Sequence, residues 1–510
     1  MYRRREFVRG GLAGAAALAL GPGFWRSALA AEPAKPAPGP YGPLRDPDAN
    51  GLMLPDGFSS RVVARGGVPV DGTSYQWHIF SDGAATFPTA DGGYILVSNS
   101  EVPAAGQGGA SAIRFASDGS IVDAYRILGG TSTNCAGGPT PWGTWLSCEE
   151  IDAGQVWECN PEGPASAAVV HPALGVFKHE AVCVDPAGER LYLTEDEPDG
   201  CFYRFAPASY PDLSAGLLEL ARVRDDGAVE WLEVPDPAAT TTPTREQVPD
   251  ATRFRRGEGI WFDTGTVYVA TTGDLRIHAY DVQTERIDVL YDAGALENPP
   301  LTDVDNLTVS QSGDLFVCED NGGDDPFDIA LITPDREVSR FVKATGPQHG
   351  VPGTDASSEL AGVVFDPSGS RMYFASQRAF FSGVVYEVSG PFRTERPGSG
   401  DPPGEDDDGD PQENEGGEGP GRARDRRRGS ERDTADGGGD APRPGGGSGG
   451  VRTEGGGGEA GSGGDLPFTG FQAAAAAGAG AAAVAAGVAV RRATRDSDTE
   501  AEPRREDRPL

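Results

Sequence analysis

The chain has 510 residues, with 43 basic and 78 acidic side chains and a formal net charge of −35. This charge argues against nucleic acid or anionic lipid as the main partner, because both would be repelled. Only five histidines are present, which disfavours a zinc enzyme built on several of them, and 74 glycines with 42 prolines indicate that part of the chain lies outside any packed core.

The first 30 residues have the pattern of an export signal. Three arginines, Arg3 to Arg5, precede an apolar run over 10–20, and Ala28-Leu29-Ala30 offers a small-residue cleavage site. The Arg-Arg-x-Phe core resembles a twin-arginine signal, which implies the twin-arginine translocase as a partner. An ordinary secretory signal with additional arginines is the alternative. Residues 31–45 read as a linker, and 46–392 as one folded domain.

The folded domain contains a strand pattern that recurs six times. Each copy is rich in β-branched and aromatic residues, and four copies follow a turn and another short apolar strand. The copies occupy residues 94–98, 144–148, 191–195, 267–271, 315–319 and 372–376. This recurrence predicts an all-β fold, a six-bladed β-propeller with a central metal site. A β-sandwich is the alternative, but it would not explain six copies of one hairpin.

Acidic residues cluster at one end of these hairpins. The start of the first strand and the end of the second lie side by side in an antiparallel hairpin, so these acids should surround one mouth of the propeller. The turn acids Asp185, Asp263 and Asp366 should lie at the opposite end. The acids predicted at the mouth are Glu149, Glu150, Glu180, Glu195, Asp196, Glu258, Asp274, Asp305, Glu319, Asp320 and Glu359.

So many carboxylates near one axis would repel one another unless cations were bound. Oxygen ligands favour Ca²⁺, whereas the thiolate of Cys148, beside two carboxylates, suits iron or zinc. The pattern therefore predicts a mixed metal cluster. Arg256 stands two residues before Glu258, on the same face of an extended strand, where a guanidinium suits a phosphate or carboxylate substrate. An ion pair between these two residues is the alternative, and Arg378 is a second candidate.

The segment 134–150, with the sequence NCAGGPTPWGTWLSCEE, resembles the signature of the PhoX family of alkaline phosphatases. Four shorter segments resemble the same family in the same order. They are His179-Glu180-Ala181, Thr194-Glu195-Asp196, Arg256-Gly257-Glu258-Gly259 and Glu359-Leu360-Ala361-Gly362-Val363.

Membership of this family would imply a propeller that carries Fe³⁺ and Ca²⁺ and hydrolyses phosphomonoesters. The family's bridging cysteine would correspond to Cys148, and its active-site Arg-x-Glu pair to Arg256 and Glu258. The metal ligands implied by this resemblance are Cys148, Glu149, Glu150, Glu180, Glu195, Glu258, Asp305, Glu319 and Glu359.

The C-terminal part of the chain has the order of a cell-wall anchor. A segment rich in Gly, Pro and acids over 393–465 is predicted to be a disordered spacer. Leu466-Pro467-Phe468-Thr469-Gly470 matches the sortase pattern LPxTG, and an apolar segment (471–490) and a charged tail (491–510) follow. This order resembles sortase substrates of Gram-positive bacteria, which implies attachment to peptidoglycan. A simple membrane-spanning anchor or a low-complexity tail is the alternative.

The remaining cysteines leave their pairing open. A Cys159–Cys201 disulfide is one prediction, because the compartment is oxidising, while Cys183 and Cys318 are expected to be buried thiols. The function expected from the sequence is an exported, wall-anchored phosphomonoesterase. A calcium-dependent lactonase or esterase, in which Cys148 would have no role, and a non-catalytic binding propeller are the alternatives.

Overall fold

The computed structural model describes residues 32–320, 327–349 and 358–396. The predicted export signal, apolar segment and charged tail and most of the predicted spacer lie outside the described residues, as do Leu466, Pro467, Thr469 and Gly470 of the predicted sortase motif. Within the described part of the chain, no helix is both long enough and apolar enough to cross a membrane.

The described residues form six sheets, which follow one another along the chain and are antiparallel except where β1 pairs in parallel with β24. Blade one contains β4 (Ser81–Pro88), β5 (Tyr94–Ser100), β6 (Gly108–Phe115) and β7 (Ile121–Thr131), and blade two contains β8 (Asn134–Pro139), β9 (Trp145–Glu149), β10 (Val156–Cys159) and β11 (Val169–Val170). Blade three contains β12 (His179–Asp185), β13 (Arg190–Glu195), β14 (Phe202–Ser209), β15 (Asp212–Val223) and β16 (Val229–Glu233).

Of the last three blades, the fifth and the sixth include strands from the N-terminal segment. Blade four contains β17 (Gly257–Asp263), β18 (Thr266–Thr271), β19 (Arg276–Asp281) and β20 (Arg286–Asp292). Blade five contains β21 (Val304–Val309), β22 (Leu315–Glu319), β23 (Asp328–Ile332) and β24 (Glu337–Ala344), with β1 (Lys35–Pro36) and β2 (Leu52–Met53) against β24. Blade six contains β25 (Leu360–Phe365), β26 (Arg371–Ser376), β27 (Val384–Ser389) and β3 (Ser59–Arg65).

Short 3₁₀ turns connect some of these strands. They lie at Ala165–Ala167, Pro172–Leu174, Thr244–Glu246, Thr272–Asp274, Ala293–Ala295, Pro347–His349 and Ala379–Phe381.

The six-bladed β-propeller predicted from the repeats is confirmed. The six recurring segments are the second strands of the six blades, β5, β9, β13, β18, β22 and β26. The ring closes where β3, from the beginning of the domain, pairs with β27 from its end, with Ser59 opposite Ser389. Residues 31–45, expected to be a linker, include β1, which pairs with β24.

Six hydrophobic layers hold the blades together, one between each pair of neighbours. Because side chains alternate along a strand, each blade presents one apolar face to the preceding blade and one to the next. The layer between blades two and three, for example, brings Leu146 of β9 against Val182 and Leu193 of blade three. The core is therefore a ring of layers that leaves the central axis to polar side chains.

The innermost strands approach one another closely around this axis, which gives a stability test. A Cβ atom at Gly138 of β8 would overlap the carbonyl oxygen of Val182 on β12. We expect Gly138→Ala to lower the free energy of unfolding by about 1–3 kcal/mol, the usual cost of overpacking. Gly129→Ala is the matched control, because the nearest atom to its Cβ, Arg126 Nε, is 3.7 Å away. Equal denaturant midpoints for the two variants would contradict this packing argument.

Candidate metal centre

The first strand of each blade carries a bulge near its start. In blade three, His179 pairs with Glu195, but the next regular pair is Val182 with Leu193, so the first strand contains one additional residue. A bulge of this kind changes the direction of a side chain. Two residues of the first strand thus lie opposite one residue of the second. The first of these two is an acid or a cysteine in blades one to five, namely Asp82, Cys135, Glu180, Glu258 and Asp305.

The corresponding position of blade six is Gly362, at a backbone φ of +63°. A side chain here would meet the carbonyl oxygen of Asp82, 2.5 Å from the Cβ position. Blade six instead contributes Glu359, which precedes its first strand.

These side chains converge at one end of the propeller axis. Ligand atoms of Glu180, Glu258 and Asp305 lie within 4.8 Å of one another. Two further groups share Glu101 and are equally compact, one with Asp82 and Glu359 and the other with Cys135 and Glu150. The thiol of Cys135 donates to Glu180 Oε1 at 3.2 Å and so connects the groups. We call this set the central cluster: Asp82, Glu101, Cys135, Glu150, Glu180, Glu258, Asp305 and Glu359.

The start of the first strand and the residue after the second strand of a hairpin meet at this mouth, as the sequence predicted. Glu101 and Glu150 directly follow the second strands of blades one and two, and Asp196 and Asp320 follow those of blades three and five. The turn acids lie at the opposite end of the blades. Asp185, for example, accepts hydrogen bonds from the backbone amides of Ala187 and Gly188 and closes its turn.

Three basic side chains surround the central cluster, and each contacts two acids. Lys178 Nζ lies 3.2 Å from both Glu150 and Asp196. Arg378 contacts Glu101 at 3.2 Å and Glu359 at 2.9 Å. These contacts place positive charge at the rim of the cluster.

Arg256 is the third of these cations. It donates two hydrogen bonds to Asp196, at 2.8 and 3.2 Å, and lies 3.1 Å from Glu258 Oε1. The ion pair named as the alternative reading of Arg256 is therefore present. The bidentate contact with Asp196 also fixes the orientation of the guanidinium beside the cluster.

The central cluster is electrostatically unfavourable without bound cations. Burial raises the pKa of Asp82, Glu180, Glu258 and Asp305 well above the ordinary range, and the neighbouring carboxylates raise it further. Glu180 Oε2 is buried and accepts no hydrogen bond among the described residues. Carboxylate oxygens with one thiol are a donor set that suits hard cations together with a softer one. The residues present therefore fit a mixed metal cluster.

The structure brings together five of the predicted ligands, Glu150, Glu180, Glu258, Asp305 and Glu359, and adds three that sequence reasoning missed. Asp82 and Cys135 occupy the bulge position, and Glu101 follows β5 as Glu150 follows β9. An alignment of the repeats on their second strands would have revealed Glu101.

Cys148 requires a correction. The prediction that it supplies the thiol of the metal site is wrong, because its side chain is buried in the hydrophobic layer beside Leu146 and Val156. The thiol of the cluster belongs to Cys135. Its strand, β8, has the sequence Asn-Cys-Ala-Gly-Gly-Pro, which lacks the large apolar residues of the other first strands. The sequence pattern therefore does not predict a strand at this position.

Three predicted ligands lie outside the central cluster and stabilise their own blades instead. Each is the last residue of a second strand, one position before the residue that faces the cluster. Glu149 accepts from the Ser132 amide and from Trp157 Nε1, both at 3.0 Å. Glu195 accepts from Tyr203 Oη at 2.8 Å and pairs with Arg245.

The third, Glu319, accepts hydrogen bonds from the backbone amides of Thr302 and Asp328. It joins the loop before β21 to the beginning of β23. Its role is therefore to connect strands within blade five.

The predicted Cys159–Cys201 disulfide is wrong, since all six cysteines are free. Cys159 faces the layer between blades one and two, whereas Cys201 faces the layer between blades two and three. The two thiols lie in different layers because blade two stands between them.

A comparison with protein families identifies the class of enzyme. Residues 101–288 and 274–379 match the family described as alkaline phosphatase PhoX. These matches span more than half of the chain and include every residue of the central cluster except Asp82. The chain belongs to the PhoX family of alkaline phosphatases, which are phosphoric monoester hydrolases, and the resemblance noted in the sequence is confirmed.

Solved structures with the same fold include Pseudomonas fluorescens PhoX in complex with vanadate, a transition-state analogue. That chain is 18% identical, with a TM-score of 0.56, and the match covers 71% of this chain and 97% of that one. A gluconolactonase from Xanthomonas campestris is 15% identical with a TM-score of 0.36, over 71% and 99% of the two chains. A search of curated proteins found no match. At 18% identity, the likeness to the Pseudomonas fluorescens chain shows the fold alone.

Glu319 provides a test of the electrostatics within blade five. Burial, with a contribution from Asp328, raises its pKa from the usual 4.5 to about 8. The folded protein therefore keeps a proton that the unfolded chain loses, so stability should fall as the pH rises from about 5 to about 8. In chelator-treated protein, Glu319→Gln should reduce this fall by up to about 1.4 kcal/mol per pH unit.

The measurement is the denaturant midpoint at several pH values between 5 and 9. Glu233→Gln, at an exposed position at the end of β16, serves as the control and should keep the wild-type slope. A Glu319→Gln slope equal to that of the wild type would show that the carboxyl titrates alike in both states.

Proposed function

We propose that this chain is an exported alkaline phosphatase that hydrolyses phosphomonoesters at the central cluster, with Fe³⁺ and Ca²⁺ as its metals. The observation that carries the proposal is the central cluster itself, in which buried carboxylates and one thiol are surrounded by Lys178, Arg256 and Arg378. Membership of the PhoX family supports the same chemistry. The vanadate complex of the Pseudomonas fluorescens relative agrees with a phosphoryl-transfer site.

The donor types support a division of the metals. Groups made only of carboxylates, such as Glu180, Glu258 and Asp305, would hold Ca²⁺. The group that contains the thiol of Cys135, with Glu101 and Glu150, would hold Fe³⁺. When bound, these cations supply positive charge that neutralises the charge on the transferring phosphoryl group. A lactonase that uses calcium alone would leave the Cys135 thiol without a role.

The protein's own side chains would then orient the substrate. Arg256 offers a planar set of donors to phosphoryl oxygens, and its contact with Asp196 fixes that plane before substrate arrives. Glu258 belongs to the cluster and also contacts Arg256, so it holds the guanidinium against the metal site. In this proposal Arg256 and Glu258 are the catalytic pair.

Hydrolysis assays on the purified chain, folded with iron and calcium, test the proposal. We expect turnover of a phosphomonoester that disappears when calcium is chelated and returns when calcium is added. Elemental analysis of the same samples should find both metals. An absence of turnover in protein that contains iron and calcium would contradict the proposal.

The two cysteines give a matched pair of variants. Cys135→Ala should lose iron, and activity should fall at least about tenfold, since it removes a ligand. Cys148→Ala should keep both, because its thiol faces the hydrophobic layer. Retained iron and normal turnover in Cys135→Ala would show that the thiol is not a ligand.

We propose further that the chain is exported by the twin-arginine translocase and attached to peptidoglycan by sortase at the 466–470 motif. The position of the last described residues supports this arrangement. Arg393 and Arg396 pair with Asp314 and Asp263, which lie at the end of the blades opposite the central cluster. A tether that continues from Arg396 would leave the mouth accessible.

Fractionation of a Gram-positive host that expresses the full chain tests the anchor. We expect the wild-type protein in the wall fraction, and Thr469→Ala in the membrane fraction or the medium. Unchanged wall attachment of Thr469→Ala would contradict the sortase proposal.

A further inference from the structure

Two phenylalanines at the mouth are the most exposed aromatic residues in the described part of the chain. Phe380 and Phe381 are 56% and 74% exposed, and they are neighbours in the sequence. Large apolar side chains in adjacent exposed positions are unfavourable in water, so their exposure calls for an explanation.

The loop that carries these rings is held firmly at its backbone. Hydrogen bonds tie it on one side to blade six and on the other to the residues before blade one. They join the Arg378 amide to Ser358 Oγ (2.9 Å), the Gly383 amide to the Ala379 carbonyl (2.8 Å), the Phe80 amide to the Ser382 carbonyl (3.0 Å) and the Gly66 amide to the Gly383 carbonyl (3.0 Å). The rings are therefore exposed by a defined loop conformation.

That conformation is itself strained. The φ angles of Phe380 and Phe381 are +53° and +63°, in the left-handed region that bulky residues rarely adopt. Two consecutive residues of this kind persist only where the surrounding structure enforces them, and such strain concentrates at ligand-binding sites.

The same loop begins at the central cluster. The guanidinium of Arg378 contacts Glu101 and Glu359, and Phe380 follows two residues later, within about 7 Å between Cα atoms. Arg65 adds a second cation, its Cζ lying 5.3 Å from the centroid of the Phe380 ring. Aromatic surface and positive charge are thus carried by a loop whose first residue contacts the central cluster.

We propose that Phe380 and Phe381 bind the organic group of the substrate, and that this enzyme prefers phosphomonoesters whose alcohol carries a planar aromatic ring. The inference rests on the proposed function, since the phosphoryl group must occupy the central cluster. A ring attached to that phosphoryl group would reach the rim and stack on a phenylalanine face. A short polar alcohol such as glycerol would gain nothing from these rings.

Two substrates separate this effect from leaving-group chemistry. Adenosine 5′-monophosphate and glycerol 3-phosphate are both esters of primary alcohols, but only the first carries a planar ring. In a variant that combines Phe380→Ala and Phe381→Ala, we expect kcat/KM for the adenosine ester to fall about tenfold, the usual effect of removing a stacking partner. The kcat/KM for glycerol 3-phosphate should stay within about twofold of the wild type, because its alcohol does not stack.

Two further variants serve as controls. Phe380→Trp with Phe381→Trp should restore the preference, because indole also stacks. Val122→Ala removes a side chain that is 56% exposed at the end of blade one opposite the mouth, and it should leave kcat/KM unchanged for both substrates.

The outcomes distinguish this inference from the proposed function. If the metal-loaded wild type hydrolyses neither ester, both fail together. If it hydrolyses both, and the alanine variant changes neither value or lowers both equally, the inference alone is overturned. An unchanged substrate ratio combined with loss of self-association in sedimentation would assign the rings to a contact between copies of the chain.

Discussion

The mutual repulsion of buried carboxylates is the constraint on which the centre of this propeller depends. Burial and proximity both raise the pKa of Asp82, Glu180, Glu258 and Asp305, so these acids can remain ionised together only with cations among them. Basic side chains at the rim satisfy part of this requirement. Bound metals would satisfy the rest, with the Cys135 thiol and the buried Oε2 of Glu180 as donor atoms.

The propeller makes this concentration of charge possible because its core does not need the axis. Hydrophobic layers between neighbouring blades supply the packing, so the residues around the axis need not be apolar and can carry charged side chains. The bulge in the first strands of blades one to five then turns one acid or thiol per blade toward its neighbours, and blade six contributes Glu359 from just before its first strand. Small residues at the second position of the bulge, such as Gly83 and Gly259, permit the close approach of the strands, since a Cβ atom there would lie 2.5 and 2.7 Å from the Cα atoms of Ala136 and Asn306 in the next blade.

The fold could be predicted from the sequence because it depends on local patterns, strands and turns that recur six times. The end of the blades that carries the acids could also be predicted, since hairpin geometry fixes it. The exact ligands could not, because a bulge shifts the facing side chain by one residue. On the second strands, Glu149 and Glu195 still pair within their hairpins with Asn134 and His179, and the next residues, Glu150 and Asp196, lie at the mouth; no simple alternation of strand residues reveals this.

The position of Cys148 within its strand explains why the cysteine motif misled. Cys148 stands directly before two acids in the sequence, yet regular alternation along β9 turns it into the layer with Leu146. Cys135 has no acidic neighbour in the chain and meets Asp82 and Glu180 only through the ring of blades. Contacts between blades join residues far apart in sequence, so a local motif can locate a site of this kind but cannot define its ligands.

The central cluster and the rim are subject to different demands. Each cluster residue contacts several charged neighbours, so a substitution there disturbs the whole set of charges. The rim loop from Arg378 to Gly383 is held by its own backbone hydrogen bonds, and its phenylalanine rings make few contacts with the core. These phenylalanine side chains can therefore differ without cost to the metal centre, whereas Arg378 contacts Glu101 and Glu359 of the cluster itself. This separation lets one propeller keep its phosphoryl chemistry while the mouth determines which organic group it accepts.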